Sequence, residues 1–383
     1  MAKTILVLGG GIGGVVCAGE LRKKLSKDHK IILVDREQRH VFSPSLLWLM
    51  TGLRKSEKIS QPLDRLKKKG IEVVRGEIEA IDPKAKSVTV SGKKIKADYL
   101  VIALGAVLAP EKIPGLTEAG HTYYSLGGAE GLRDARKNFR SGRMVLLTAT
   151  PAYKCPAAPY EAAMLLEYDC QKRGIRDDVQ IDFYAAEPGP MPVAGAAVTA
   201  AVRGLVEERG IGYHPGHMLS AVDPDKRRLT FANGVTADFD FLVYVPPHVA
   251  PKVVADAGML GDAGWVPVDR GTMETKFPGV FAIGDVNGIP LDLGKPLPMA
   301  GVFAHGEAEV VVSNIVHAIT GKGKTVVFDG HGECFIEAGH GKAGFGRGKF
   351  YAEPVPTMKL YKPGRHWHAG KLLFEKDWLR RWF

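Results

Sequence analysis

The residues able to do chemistry in this chain are a set of glycines and carboxylates near the start and two of its four cysteines. Gly9, Gly11 and Gly14 stand in G-x-G-x-x-G spacing directly after an apolar, β-forming run, Lys3–Leu8. In a β-α-β unit the first glycine permits a tight turn and the second lets bare backbone N–H groups approach a pyrophosphate. The third lets helix and strand pack closely. A second apolar run, Ile31–Val34, ends in Asp35, 21 residues past Gly14, where a carboxylate can bind ribose hydroxyls. This is the chemistry of dinucleotide binding. The cysteines are Cys17, Cys155, Cys170 and Cys334. None forms a CxxC pair, so neither a zinc ribbon nor a thioredoxin motif is present, and no metal site is expected. Cys17 and Cys170 lie in helical patterns and read as small core residues. Cys155 stands at the tip of a strand, where an α/β fold presents its ligand crevice. Glu161, six residues on and in the following helical pattern, is either a proton acceptor for that cysteine or a solvated helix glutamate.

The elements that must position these residues follow an α/β order. Val15–Leu25 is helical after the glycine loop. Gly70–Gly76, Ala80–Ile81, Ser87–Val90 and Asp98–Gly105 are strands, the last returning beside the first loop and ending in Gly105. Arg143–Thr148, Asp178–Ala185 and Gly210–Tyr213 form a second β-α-β region. Ala221–Phe231 and Val235–Val245 are expected to complete a small sheet there. Trp265–Val268 leads to Gly279–Asn287, a strand with Gly284-Asp285 at its tip, and a helix follows over Ala300–Thr320. With 383 residues the chain can bury two or three domain cores. Its 45% hydrophobic and 25% charged content is that of a soluble globular protein. It contains no run of eighteen apolar residues that would span a bilayer. No signal segment precedes the first strand, so the expected location is cytoplasmic unless an export signal has been removed. The net charge of +10 suits a nucleic acid, an anionic membrane surface or an anionic partner. No nucleic-acid motif is present.

Three landmarks in order carry a family resemblance: the first glycine motif, Leu100–Ala106 (LVIALGA) and Gly279–Asn287 (GVFAIGDVN). The chain resembles the two-dinucleotide-domain flavoproteins. That resemblance implies an α/β fold of two Rossmann-like lobes. An FAD lobe (1–108 and 265–325) would be interrupted by a second lobe (109–264) and followed by a C-terminal segment (326–383). It implies FAD held by Gly9, Gly11, Gly14, Asp35 and Gly105, with Asp285 on the ribitol chain. The second lobe lacks the glycine motif of a pyridine-nucleotide enzyme. Its equivalent stretch reads Thr148-Ala149-Thr150-Pro151-Ala152-Tyr153-Lys154-Cys155-Pro156, and no glycine lies between Gly142 and Gly174. Side chains and prolines stand where a pyrophosphate would need bare backbone, so NAD(P)H is not expected there.

A cysteine in that place is similar to the sulfide:quinone oxidoreductases and the flavocytochrome c sulfide dehydrogenase flavoproteins. The matching segments are Cys155–Leu166 (CPAAPYEAAMLL), Glu333-Cys334-Phe335 and the tail Gly364–Phe383. The resemblance implies that Cys155 and Cys334 form a redox pair beside the flavin. Hydrosulfide would attack their disulfide or trisulfide, leaving a persulfide and a thiolate that reduces FAD. Quinone would sit between Phe335 and Phe374, with Lys371 near a quinone oxygen. The tail alternates Trp, Leu and Phe with His, Lys and Arg, the pattern of a helix lying in a membrane interface or packing on a partner subunit. Its shortness makes binding peripheral and calls for oligomerisation. Non-covalent FAD is expected, because His40–Gly52 contains no cysteine to tether it. Two departures stand out: Ser125 falls where many quinone enzymes carry a third cysteine, and Met299 where they carry a lysine supporting reduced flavin. The helix start near Ala300 is the remaining positive element for that charge. A flavocytochrome subunit passing electrons to a cytochrome is the first alternative. A type II NADH:quinone oxidoreductase is the second, and a non-catalytic flavoprotein or assembly subunit the third.

Overall fold

The computed structural model describes residues 1–383. Its elements run β1 (Thr4–Leu8), α1 (Ile12–Lys24), β2 (Lys30–Asp35), α2 (Leu46–Met50), β3 (Glu72–Arg75), β4 (Tyr99–Ile102) and β5 (Gly142–Thr148). They continue with α3 (Ala158–Lys172), β6 (Val179–Ala185), β7 (Gly212–Pro215), β8 (Phe241–Val245), β9 (Val280–Ala282) and α4 (Gly301–Thr320). The last are β10 (His331–Glu337), β11 (Ala343–Lys349), β12 (Thr357–Gly364) and α5 (Arg365–Trp382).

Two parallel sheets carry the chemistry. The first has strand order β9-β4-β1-β2-β3, so the strand bearing Gly284-Asp285 at its end returns beside the first strands of the chain. Both faces of this sheet are covered, which is why β1, β2 and β4 read as continuous apolar runs rather than alternating ones. The second sheet has order β7-β6-β5-β8. Here the expectation for Val235–Val245 is corrected. Thr236–Asp238 pairs antiparallel with Arg228–Phe231, which pairs in turn with Leu219–Asp223, whereas Phe241–Val245 joins the parallel sheet beside β5. The run changes partners at Phe239-Asp240, where the Asp240 carboxylate accepts the Arg143 N–H at 2.8 Å.

The C-terminal segment forms an antiparallel meander, β10-β11-β12, which hands the chain to α5. Its glycines permit close strand approach: a Cβ at Gly348 would lie 2.0 Å from the Thr357 carbonyl oxygen. α5 corrects the reading of the tail. Trp378, Leu379 and Trp382 are buried in the core shared by α1 and α4, and Gly19 on α1 leaves the seat for the Trp382 ring. Leu373 and Phe374 remain exposed, with Lys376, Arg380 and Arg381 beside them in sequence. Much of the apolar face assigned to a membrane or a partner is therefore spent on the chain's own core. No helix is long and apolar enough to cross a membrane.

Candidate active site

One cleft of about 1110 Å³ runs from the first glycine loop to the C-terminal meander. At one end each glycine of the first loop has its own surroundings. Gly9 has φ +102°, and a Cβ there would lie 2.3 Å from the Ala103 carbonyl oxygen. A Cβ at Gly14 would lie 1.8 Å from the Gly9 oxygen. A Cβ at Gly11 would meet nothing within 4 Å, yet Gly11 lines the cleft at the start of α1. No contact within the chain requires glycine there, so its bareness serves whatever fills the cleft. α1 has no side-chain cap, which leaves its first N–H groups free for an anion. Asp35 lines the same end, one carboxylate oxygen accepting the Gly10 N–H and the other the Glu37 N–H.

Gly105 and Asp285 line the cleft further along. Burial raises the Asp285 carboxyl above its ordinary range, against the pull of Lys154. The Gly284-Asp285 segment is fixed from behind by Glu307 of α4. One oxygen of that carboxylate accepts the Gly284 N–H at 2.6 Å and the Asn287 side-chain amide at 2.9 Å. Burial pushes the Glu307 carboxyl up to about 7. α4 itself begins at the cleft with Ala300 as an uncapped N-terminus, the second helix start directed there. Two uncapped helix starts, an open glycine loop and two acids at the ends of parallel strands fit a flavin dinucleotide along the cleft.

Two cysteines line the other end of the cleft. Cys155 and Cys334, far apart in sequence, both line the cleft and both are free thiols. Cys155 has φ +54°, a conformation costly for any residue with a side chain. It is held there by its own N–H, which donates to the Met299 carbonyl at 2.6 Å, and by its carbonyl, which accepts the Ala158 N–H at 2.9 Å. Burial, then Glu161, pushes the Cys155 thiol up to about 12, with Lys371 opposing. Cys334 is open to the cleft but deep among its walls. That burial, then Cys155 and Glu161, raises its thiol.

Glu161 is not a solvated helix residue. It is buried, and one carboxylate oxygen accepts from Lys371 Nζ at 3.0 Å and from the Glu337 N–H at 2.8 Å. Lys371 is also buried. Burial opposes its charge, but Glu161 and Glu337 outweigh it, so the ammonium persists. Its Nζ lies 5.0 Å from the centre of the Trp48 ring on α2. Phe335 and Phe374 line the cleft with their ring centres 6.3 Å apart. Ser125 does not face the cysteines: its hydroxyl caps the helix Leu126–Ala135 by accepting the Gly128 N–H at 3.1 Å.

Two features escaped the sequence reading. Lys154 lines the cleft between Asp285 and Cys155 and makes no ion pair or hydrogen bond. Burial lowers its pKa, against the pull of Asp285 and Cys155. It directly precedes Cys155, whose N–H bonds the Met299 carbonyl. The only sequence signal was its adjacency to Cys155. The second feature is Glu187, just past β6. This buried carboxylate accepts from Thr148 Oγ1 at 2.8 Å, Tyr160 Oη at 2.7 Å and the Tyr153 hydroxyl. Tyrosine rings and a carboxylate thus fill the place where the second lobe would cradle a nucleotide.

Parallel sheets on this plan, an open glycine loop and a thiol pair in one cleft define a flavin-dependent disulfide-oxidoreductase-like protein. The family model described as pyridine nucleotide-disulphide oxidoreductase matches residues 3–151 and 156–312. It skips the stretch holding Tyr153, Lys154 and Cys155. The chain is 34% identical to a sulfide-quinone reductase of Aquifex aeolicus, over 99% of this chain and 91% of that one. It is 28% identical to the mouse mitochondrial sulfide:quinone oxidoreductase, over 92% of this chain and 80% of the other. The solved structure of the sulfide:quinone oxidoreductase from Aquifex aeolicus superposes with a TM-score of 0.89 at 32% identity, covering 100% of this chain and 91% of that one. The chain belongs to the sulfide:quinone oxidoreductases within the pyridine nucleotide-disulphide oxidoreductase family.

Proposed function

We infer that this chain is a flavin-dependent enzyme that oxidises sulfide and passes the electrons to quinone, with Cys155 and Cys334 as its redox pair. The observation that carries the residue assignment is the convergence of both cysteines on the cleft that begins at the Gly9–Gly14 loop. FAD, bound without a covalent tether, would supply storage for two electrons between sulfide and quinone. Gly9, Gly11, Gly14 and Asp35 would hold its adenosine and pyrophosphate. Gly105 and Asp285 would position the ribityl part, and Lys154 and the start of α4 would set the potential around the ring.

The resting electrophile in this reading is a disulfide or sulfur bridge between Cys155 and Cys334. Hydrosulfide attacks one sulfur, one S–S bond breaks as another forms, and a persulfide and a thiolate result. The nucleophile is the hydrosulfide itself, which reaches the cysteines from water. Glu161 holds the proton at the cysteine side, and Phe335 and Phe374 flank the quinone, with Lys371 near a quinone oxygen. The Glu187 cluster opposes the NADH-oxidising alternative, because a buried carboxylate with three hydroxyl donors occupies the second nucleotide site. Peripheral membrane association would use the exposed part of α5, so that quinone is taken from lipid. The experiment is anaerobic. Sulfide added to the flavin-loaded protein is expected to bleach the flavin band, and a short-chain quinone to restore it. Bleaching by NADH but not by sulfide would overturn the reading.

A further inference from the structure

Lys371 continues away from the cleft into a chain of charged groups, hydrogen-bonded to Glu161 and in ion-pair range of Glu337. Its Nζ is 3.0 Å from Glu161 Oε1 and 3.9 Å from Glu337 Oε1. Both Glu337 oxygens lie 3.1 Å from His368 Nδ1. Glu161 comes from α3, Glu337 from β10, and Lys371 and His368 from successive turns of α5. The side chains of Glu161, Glu337 and Lys371 are 3%, 1% and 5% exposed, whereas His368 is 25% exposed. Glu161 and Lys371 line the cleft; Glu337 and His368 do not. The four groups therefore lead from the cleft wall to the outer surface.

Charge gives this chain a function. Two buried carboxylates face one ammonium, and an unbalanced buried charge is costly. The cluster is relieved by holding one more proton, on the Glu337 carboxyl or on the His368 ring. Burial raises the Glu337 carboxyl despite Lys371 and His368. The charged groups facing His368 are Glu337 across the meander and, through it, Lys371 on its own helix. α2 offers it only the edge of the Trp48 ring, at 5.9 Å between centres.

We propose that Glu337 and His368 are the proton supply for quinone reduction, moving protons from solvent to Lys371 and so to the quinone oxygen. This rests on the assignment of Lys371 to the quinone side. The balance requires such a supply. Hydrosulfide gives up two electrons and one proton as its sulfur becomes zero-valent, while quinone takes up two electrons and two protons. One proton per turnover must come from water. Lys371 donates its proton to the reduced quinone oxygen, Glu337 returns one to Lys371, and His368 recharges Glu337 from solvent.

The test separates the two half-reactions in a stopped-flow instrument, using flavin-loaded protein and a short-chain soluble quinone. His368→Gln keeps a hydrogen-bond donor for Glu337 but cannot carry a proton, so it guards against misfolding in His368→Phe. Reduction by sulfide should be unchanged in both variants. Reoxidation by quinone should slow at least about tenfold at pH 8 and less at pH 6, where solvent protons are more abundant. Added imidazole should restore it. An unchanged reoxidation profile, or a pH-independent loss that imidazole does not rescue, overturns the relay. Lys371→Met tests the underlying assignment by itself. If it leaves reoxidation intact, the placement of Lys371 at the quinone has failed. If it slows reoxidation while His368→Gln does not, only the relay has failed.

Discussion

Trp378 Nε1 donates to His40 Nε2 across 3.1 Å, and the opposite ring nitrogen of His40 lies 2.9 Å from the Gly10 carbonyl oxygen. The C-terminal helix is thereby tied to the dinucleotide loop through one imidazole. The geometry fixes the tautomer: Nδ1 carries the hydrogen and donates to Gly10, and Nε2 accepts from the indole. Burial depresses the His40 pKa to about 4, although the Gly10 bond opposes this. The unfolded chain protonates His40 from about pH 6.5 downward while the folded chain does not. Its contribution to stability is therefore complete above pH 6.5 and declines as pH falls toward 4, by on the order of 3 kcal/mol. His40→Gln can keep both hydrogen bonds without titrating. Denaturant unfolding at pH 7 and pH 4.5 should show the wild type losing more stability than this variant, by about 2–3 kcal/mol. The comparison isolates His40 from Glu307, whose raised carboxyl titrates in the opposite sense. Parallel losses in both proteins would show that His40 is not the group responsible.

The cysteine assignment predicts a clear pattern. Cys155→Ser and Cys334→Ser should each abolish flavin bleaching by sulfide, a loss of at least a thousandfold, while flavin content stays normal. Cys17→Ala should leave bleaching intact, because Cys17 is buried inside α1 with its thiol pushed up to about 12. Rapid-mixing absorbance measures the rate. Retention of the wild-type rate in either serine variant removes the redox pair.

Lys154 is expected to favour the negative charge that a flavin gains on reduction. It lines the cleft without an ion-pair partner and feels the charges of Asp285 and Cys155. Lys154→Met should shift the flavin reduction equilibrium at least tenfold toward the oxidised form, about 30 mV for a two-electron couple. Lys154→Arg should restore most of it. Dye-equilibrated titration reads this potential without turnover. Equal potentials in wild type and Lys154→Met would assign the lysine a packing role only.

The dinucleotide end of the cleft was legible because local backbone demands write themselves into sequence: Gly9 and Gly14 are where a Cβ would strike neighbouring backbone, and Asp35 follows at the end of β2. Cys155 was legible because its neighbours exclude a nucleotide. Glu187 was not, because its partners are a threonine and two tyrosines from two other segments, each ordinary in its own stretch. The same holds for Glu337 and His368, paired only when the meander folds back on α5. The meander itself was obscured by glycines that read as loop but permit strands to touch, as at Gly348. The tail was read as amphipathic, and part of its apolar face, Trp378, Leu379 and Trp382, packs on the chain's own core instead. Periodicity reports that a face is apolar and does not say against what it packs.

That correction changes how membrane binding must be tested. Removing the chain from Trp367 onward would delete Trp378, Leu379 and Trp382, each worth roughly 1.5–3 kcal/mol when fully buried. It would also break the Arg54–Glu375 pair at 2.8 Å and the Trp378–His40 bond. Truncation should therefore unfold the first lobe, whatever the membrane does. Leu373 is 67% exposed and supports nothing inside the protein, while Arg380 and Arg381 point charge outward at the end of the same helix. Leu373→Asp combined with Arg380→Glu and Arg381→Glu should leave the thermal midpoint within a few degrees of wild type. Co-sedimentation with vesicles containing anionic lipid should fall at least tenfold, and more at low salt than at high salt. Reduction of a short-chain soluble quinone should persist, while reduction of a long-chain quinone held in vesicles slows. The reason is spatial: in the proposed arrangement a lipid-confined quinone enters beside Phe374, whereas sulfide reaches the cysteines from water. If the wild-type protein stays in the supernatant with vesicles present and reduces both quinones equally, α5 is a structural helix and the quinone is taken from solution.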